Sequence, residues 1–378
     1  MTPPAASMQT SPRAAVASLT VGIVALLIAG LQPLVLGGLL REGRLTEAEI
    51  GLTAMVELLT LGLTCGVAAA RLTPEHIRLR LILAALAHAG VTLAGVGATG
   101  LWIIADRAVA GVFEGLMLWG TINMIVRAHN PERVAGVFAT TQTLGQLLAA
   151  SGLALFVVPR FGVNGALVVL TGLSVLAALV AGVGPNRYDR LPSSSGGKGP
   201  INAAAVAGLV SIFLFMAFIV ATWVYLEPLA ARSGLTPQAA GLTISIALGA
   251  QVAGGAAATA LGGRWRSLPV LLGVVVIYAA VLLVLASRPS PLIFMTAMAV
   301  FGFLWMFALP IQTQRMIEID PTRRAALQVG AAQLLGSAFG PLCAALLVQD
   351  TGSAQALILG GAFLGLSASL LLVSARKI

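Results

Sequence analysis

The chain has 378 residues, of which 58% are hydrophobic and only 9% charged, with a formal net charge of +9. Soluble globular domains carry about 25% charged residues, so a soluble enzyme or binding module is excluded and a polytopic membrane protein is implied. The positive charges form no basic stripe interleaved with aromatics, which removes nucleic acid as a partner.

Residues 1–13 are polar and rich in Pro and Ala, and are expected to be a short tail. The apolar run that follows is too long for a signal-peptide core and leads into further apolar runs, so it reads as a first span. At about 20 residues per crossing, twelve spans are expected: 14–40, 48–70, 79–99, 101–126, 133–158, 163–184, 203–230, 237–261, 268–287, 291–314, 324–348 and 354–374. An even number puts both termini on one side. Of the 22 Arg and Lys residues, sixteen lie in connectors on the terminal side. Five lie opposite (Arg41, Arg44, Arg160, Arg232 and Arg288) and Arg107 sits inside a span. This asymmetry places the termini in the cytoplasm and the chain in the cytoplasmic (inner) membrane.

An internal repeat divides the chain. Leu45-Thr46-Glu47-Ala48-Glu49-Ile50-Gly51-Leu52-Thr53 recurs as Leu235-Thr236-Pro237-Gln238-Ala239-Ala240-Gly241-Leu242-Thr243, a shift of 190 residues. The same shift carries Asn130-Pro131 onto Asp320-Pro321 and Arg133 onto Arg323, and one residue more carries Gln142, Leu144 and Gly145 onto Gln333, Leu335 and Gly336. Thr46 with Glu49 fits a capping box, and Thr236 with Pro237 fits an N-cap followed by a first-turn proline. Both copies therefore open the second helix of a half. The expected organisation is a six-helix bundle over 14–184, a Gly/Ser/Pro-rich cytoplasmic linker over 185–202, a second six-helix bundle over 203–374, and a tail over 375–378.

The fourth span carries the chemistry. Asp106, Arg107 and Glu114 lie in an apolar run, where each charge costs roughly 2.5–3.5 kcal/mol and usually faces a bundle interior or a water-filled path. Arg107, Gly111, Glu114, Gly115 and Leu118 follow the helical period, so Arg107 and Glu114 share nearly one face, about 10 Å apart along the axis. A water or a bound ligand can join them there, and the stripe is expected to line a path through the bilayer. Glu57 lies at comparable depth in the second span. Carboxyls at such depths can be neutral in one state and ionised in another, and so carry a proton; equally, they can tie helices together. Asp106 points roughly 100° away from Arg107 on a helical wheel, and sits where a carboxylate suits the helix dipole. His88 is read as bonded to a neighbour.

Glu227 lies beside Trp223 and Tyr225, either in an outer vestibule or in an interfacial aromatic belt. Gln32, Asn123, Gln142, Gln251, Gln312 and Gln333 are uncharged and mid-span; most bridge helices and some touch substrate. Trp119, Trp223, Trp305 and Met306 suit packing, and an aromatic wall with few polar groups suits an amphipathic ligand. Candidate cavity residues are therefore Gln32, Asn123, Trp119, Trp223, Glu227, Gln251, Trp305 and Gln312. Cys65 and Cys343 have no metal-ligand spacing and read as small buried residues. The chain contains no H-E-x-x-H, no G-x-S-x-G and no Cys/His cluster, and its G-G-K-G lacks the rest of a phosphate loop. No cofactor, metal site or catalytic residue is expected.

Twelve spans, a six-plus-six repeat and a long central loop resemble the major facilitator superfamily of secondary transporters over essentially the whole chain. Arg107, Gly111 and Gly115 match that family's Arg-x-x-x-Gly-x-x-x-Gly pattern, whose arginine is associated with proton coupling. After the second span, Gly66 and Arg71 match the family's loop motif, while Ala70, Thr73 and Pro74 replace its Asp, Gly and Arg. The antiporter-type Gly-Pro of the fifth span is missing, with Ala149-Ala150-Ser151-Gly152 in its place; its counterpart in the eleventh span, Gly336-Ser337-Ala338-Phe339-Gly340-Pro341, is present. Gly66, Arg71, Gly111, Gly115, Gly336, Gly340 and Pro341 are thus expected to serve gating or close helix packing.

The expected fold is an all-α polytopic membrane protein with twelve transmembrane helices in two six-helix pseudo-repeats. The expected function is secondary active transport of a small amphipathic or aromatic organic solute by alternating access, coupled to protons through Glu114, Arg107 and Glu57, and leaning to export. Proton-coupled uptake of an organic anion is the alternative, and a non-transporting receptor or assembly factor is the alternative of another class. The expected partners are a small-molecule substrate, H⁺ and the lipid bilayer, and the expected state is a monomer.

Overall fold

The structure, a computed structural model, describes residues 12–128, 131–188, 202–261, 264–320, 324–348 and 352–375. The expected tails up to residue 11 and from residue 376, the expected linker from residue 189 to 201, and the repeat residues Asn130, Pro321 and Arg323 lie outside the described residues.

The first half contains α1 (Pro12–Arg41), α2 (Glu47–Arg71), α3 (Ile77–Ala94), α4 (Leu101–Ile125), α5 (Pro131–Gly152), one π-helical turn (Leu153–Val157) and α6 (Val158–Ala181). The second half contains α7 (Ala203–Val224), α8 (Leu226–Arg232), α9 (Pro237–Leu261), α10 (Ser267–Ala286), α11 (Pro291–Ile319), a 3₁₀ turn (Ala326–Gln328), α12 (Val329–Val348) and α13 (Ala354–Ala375). Ten described segments are long and apolar enough to cross a membrane, and one of them, 49 residues long, runs through both α5 and α6. With α4, the helix that carries the charges, this makes twelve crossings among the described residues. The chain is an all-α polytopic membrane protein built as two six-helix pseudo-repeats.

Local sequence explains the boundaries. Thr46 closes the expected capping box: its Oγ1 accepts from Glu49 N at 3.3 Å, and Thr46 N donates to Glu49 Oε2 at 2.7 Å. At the repeat position, Thr236 Oγ1 accepts from Ala239 N at 3.2 Å. Within the first turns of α6 the chain kinks at Gly162, whose φ of 62° a side chain would strain. Glu42 caps the new helix there, accepting from Val163 N at 2.8 Å. The expected seventh span, 203–230, is instead broken at Tyr225. Pro228 has no N–H to give the carbonyl of Val224, so the helix stops and restarts as α8.

The two halves meet along α2 against α12 and α5 against α9. The α2/α12 seam is tight at the end opposite the termini, where a Cβ on Gly51 would lie 2.5 Å from Pro341 O and 2.8 Å from Ala345 Cβ. Toward the terminal side it opens: a Cβ on Gly62 would lie 3.8 Å from Leu334 Cβ, and one on Gly66 would meet nothing within 4 Å. Polar contacts join the halves at the tight end. Trp223 Nε1 donates to Ala29 O at 3.1 Å, Tyr225 OH donates to Glu47 O at 3.0 Å, and Arg41 is ion-paired with Glu227.

Candidate functional site

The site begins with two glycines of α4. A Cβ on Gly111 would strike Glu57 O and Thr60 Oγ1, and one on Gly115 would lie 2.9 Å from Thr64 Cβ. Without side chains, these positions let α4 lie directly on α2. The same face of α4 carries Arg107, which therefore reaches across the seam.

Arg107 Nη1 donates to Glu57 Oε1 of α2 at 3.3 Å, and Nη2 donates to Thr92 Oγ1 of α3 at 3.2 Å. Its Nε and Nη2 also donate to Asp106 Oδ2 at 2.9 and 2.7 Å. The Asp106 position was expected to point away; the long guanidinium stem bends back to meet it instead. Two turns further along α4, Glu114 Oε1 is 3.1 Å from His88 Nε2 of α3, and His88 Nδ1 is 2.8 Å from Ser174 Oγ of α6. Arg107 and Glu114 do not touch each other directly; each is met by a partner from another helix.

Arg107, Glu57 and Glu114 are no more than 2% exposed. They lie inside the first half, between α2, α3, α4 and α6, and line none of the cavities described below. The expectation of one central path that wets all three is corrected: the glycine face of α4 is used for packing on α2, and the charges are sealed into that seam. Burying charges is costly unless every group is paired. Here Glu57 Oε2 and Glu114 Oε2 have no hydrogen-bond partner among the described residues. Gln32 of α1 approaches the Glu57 carboxyl, yet its own Oε1 and Nε2 also lack partners by geometry.

A cavity of about 890 Å³ lies on the terminal side between the halves. It is lined by Leu58, Leu59, Leu63 and Gly66 of α2, Trp119, Ile122, Asn123 and Val126 of α4, and Ala331, Leu334 and Leu335 of α12, with Arg127 at its edge. Arg127 is held by Asn123 Oδ1 at 2.8 Å and stacks over Tyr188 at 5.6 Å. An apolar wall with a few polar groups at one end suits an amphipathic ligand.

Of the expected cavity residues, only Trp119 and Asn123 line this space. Trp223 is fully buried in the contact between halves, edge-on to Trp305 at 5.7 Å. Glu227 is buried against Arg41 there, which replaces the vestibule and belt alternatives with an ion pair between halves. Gln312 accepts from Gln333 Nε2 at 3.4 Å and lines a void of only about 20 Å³ within the second half, room for one water at most. Gln251 is buried, its Nε2 without a partner among the described residues. Gln32 sits beside Glu57.

The packing residues divide as well. Gly336 and Gly340 lie directly on α7, where a Cβ would strike the carbonyls of Phe213 and Ala217, and Pro341 meets Gly51 across the halves. Gly66 is corrected: it lines the cavity instead of a close helix contact. Arg71, expected to serve gating or packing, is exposed at the end of α2, with no ion pair among the described residues. Thr92 and Ser174 were not singled out from sequence. Thr92 stands four residues after His88, on the same face of α3, and that spacing was the available signal.

A family model described as Major Facilitator Superfamily matches residues 14–337. No curated protein matches the chain. Among solved structures, the chain is similar to a bacterial homolog of the human lysosomal transporter Spinster in an inward-facing, unoccupied conformation, with 14% identity, 97% of this chain and 98% of that chain covered, and a TM-score of 0.69. It is also similar to a variant of the nucleoside transporter NupG, with 12% identity, 96% and 99% covered, and a TM-score of 0.76. A D-xylose-proton symporter gives 15% identity, 95% of each chain covered, and a TM-score of 0.69.

Proposed function

The chain belongs to the major facilitator superfamily of membrane transporters, and on that premise we propose that it exports an amphipathic organic solute across the cytoplasmic membrane in exchange for protons. The substrate reading rests on the cavity: about 890 Å³ of mostly apolar wall with Trp119, Asn123 and Arg127 among its lining, a size and chemistry typical of small-molecule sites. The lean to export rests on the mostly apolar lining with Trp119 and on the net acidic set of charges within the spans, Glu57, Asp106 and Glu114 against Arg107. The cavity opens toward the side where sixteen of the 22 Arg and Lys residues fall, the cytoplasm by the positive-inside rule.

One observation carries the coupling: two carboxyls, Glu57 and Glu114, are buried inside a membrane bundle, and the guanidinium of Arg107 is paired with only the first of them. Three carboxyls there, with Asp106, face the one cation Arg107, an excess that a structural tie does not need and that a bound proton would balance. Such a site must be closed to both sides during part of the cycle, and this conformation has it closed. Uptake of an organic anion is the second reading, and Arg127 at the cavity edge is the feature that favours it.

The test is a ligand-stabilisation screen of purified protein with neutral, cationic and anionic amphiphiles, followed by transport of the hits in proteoliposomes with an imposed pH gradient. Gradient-driven movement opposite to the protons supports export by exchange; movement with the protons selects uptake; indifference to the gradient overturns the coupling.

A further inference from the structure

His88 is held from both sides: Nδ1 lies 2.8 Å from Ser174 Oγ on α6, and Nε2 lies 3.1 Å from Glu114 Oε1 on α4. Ser174 Oγ also lies 2.9 Å from the carbonyl oxygen of Leu170, one turn earlier on α6. A serine hydroxyl has one proton to donate, and a neutral imidazole donates from one nitrogen while accepting at the other. Those rules leave two complete arrangements with a neutral ring.

In the first, Ser174 donates to Leu170 O, Nδ1–H donates to Ser174 Oγ, and the bare Nε2 accepts the O–H of a neutral Glu114 carboxyl. In the second, Ser174 donates to the bare Nδ1, and Nε2–H donates to the Glu114 carboxylate. The heavy atoms stay where they are, and the arrangements differ by one proton.

We propose that His88 and Ser174 belong to the coupling site, and that the exchanged proton is stored by a tautomer change of His88 together with rotation of the Ser174 hydroxyl. A proton gained at Nδ1 makes the ring doubly protonated. Nε2–H then passes to Glu114 Oε1, and the Ser174 hydroxyl turns from Nδ1 to Leu170 O. One proton is gained, none is lost from the chain, and release reverses the steps. The charges that act on this pair from the surrounding helices are Glu57 on α2 and Asp106 and Arg107 on α4. On α6 the facing group is Ser174 itself. Arg107 is fixed to Glu57 and Asp106 in the same seam, so its positive charge stays close while the pair titrates. The inference rests on the reading of Glu114 as a coupling carboxyl.

The experiment is ¹⁵N-histidine magnetic resonance on the full-length protein in nanodiscs over a pH series. The three histidines, His76, His88 and His129, are assigned by loss of the His88 signal in His88→Gln. Infrared spectra recorded in parallel follow the protonated carboxyl band, assigned by its loss in Glu114→Gln. The expected result is that His88 is Nδ1-protonated at low pH and Nε2-protonated at high pH, with the Glu114 band lost over the same interval, and that Ser174→Ala holds the ring in one tautomer throughout. If Glu114 titrates while the His88 tautomer stays fixed in the native protein, the inference falls and the coupling reading stands. If neither group titrates, both fall.

Discussion

Arg41, the last residue of α1, is ion-paired with Glu227 of α8, so a charge contact holds the two halves together at the end opposite the termini. The Glu227 side chain is 6% exposed and that of Arg41 34% exposed, which places the pair between the surface and the buried cases. Glu227→Gln keeps the shape and removes the charge. Its expected cost is about 1 kcal/mol, a roughly fivefold shift toward the conformation open on that side. Spin labels on Thr99→Cys and Ser287→Cys, exposed connectors of the two halves at that end, should show a larger long-distance population. An unchanged distance distribution would remove the pair from any role in closure.

Arg107 is the hub of the first half's interior, with Glu57, Asp106 and Thr92 as partners. Arg107→Gln leaves two carboxylates facing each other without a cation and is expected to cost about 3–5 kcal/mol. Thermal unfolding in detergent measures it. The double variant Arg107→Gln/Glu57→Gln should recover part of that loss, because the stranded carboxylate goes with it. Additive losses would show that the two side chains are not coupled.

Gly66 and Gly340 match family motifs equally well by sequence, yet they should respond in opposite ways to the same change. A Cβ on Gly66 enters open space, so Gly66→Ala should be neutral or stabilising by about 0.5–1 kcal/mol through helix propensity. A Cβ on Gly340 strikes the backbone of Ala217, which cannot yield without moving α7, so Gly340→Ala should cost about 1–3 kcal/mol. Melting temperatures of the purified variants decide it.

Glu114→Gln cannot exchange a proton but fills the same volume. In proteoliposomes it should lose gradient-driven accumulation by about tenfold or more while keeping solute exchange at equal pH on both sides. Wild-type accumulation in the variant would take Glu114 out of the coupling.

Much of this architecture can be read along the chain, because membrane spans announce themselves by apolar length and their starts by local capping. The Thr46–Glu49 box and its repeat at Thr236 are contacts within four residues, and they form as expected. The helical period likewise put Arg107, Gly111 and Gly115 on one face. What that face meets is a question of packing between distant segments, and the answer, α2, is not written in the period. The same holds for His88 with Glu114 and for Arg41 with Glu227, 186 positions apart in sequence. The break at Tyr225 is a different case, since the missing N–H of Pro228 was there to be read.

The seam between α2 and α12 is pinched at Gly51 and Pro341 and free at Gly66. Fifteen residues of helix separate the two glycines of α2, a lever arm of about 22 Å at 1.5 Å per residue. Swinging one helix against the other by about 10° around the pinch displaces the free end by about 4 Å, roughly the reach of a leucine side chain. Leu334 and Leu335 stand at that free end, so shutting the mouth needs a small rigid rotation and no rearrangement inside either bundle. The fulcrum itself is a backbone carbonyl resting on a residue without a side chain, and bulk added at Gly51 would move the pivot instead of merely loosening it.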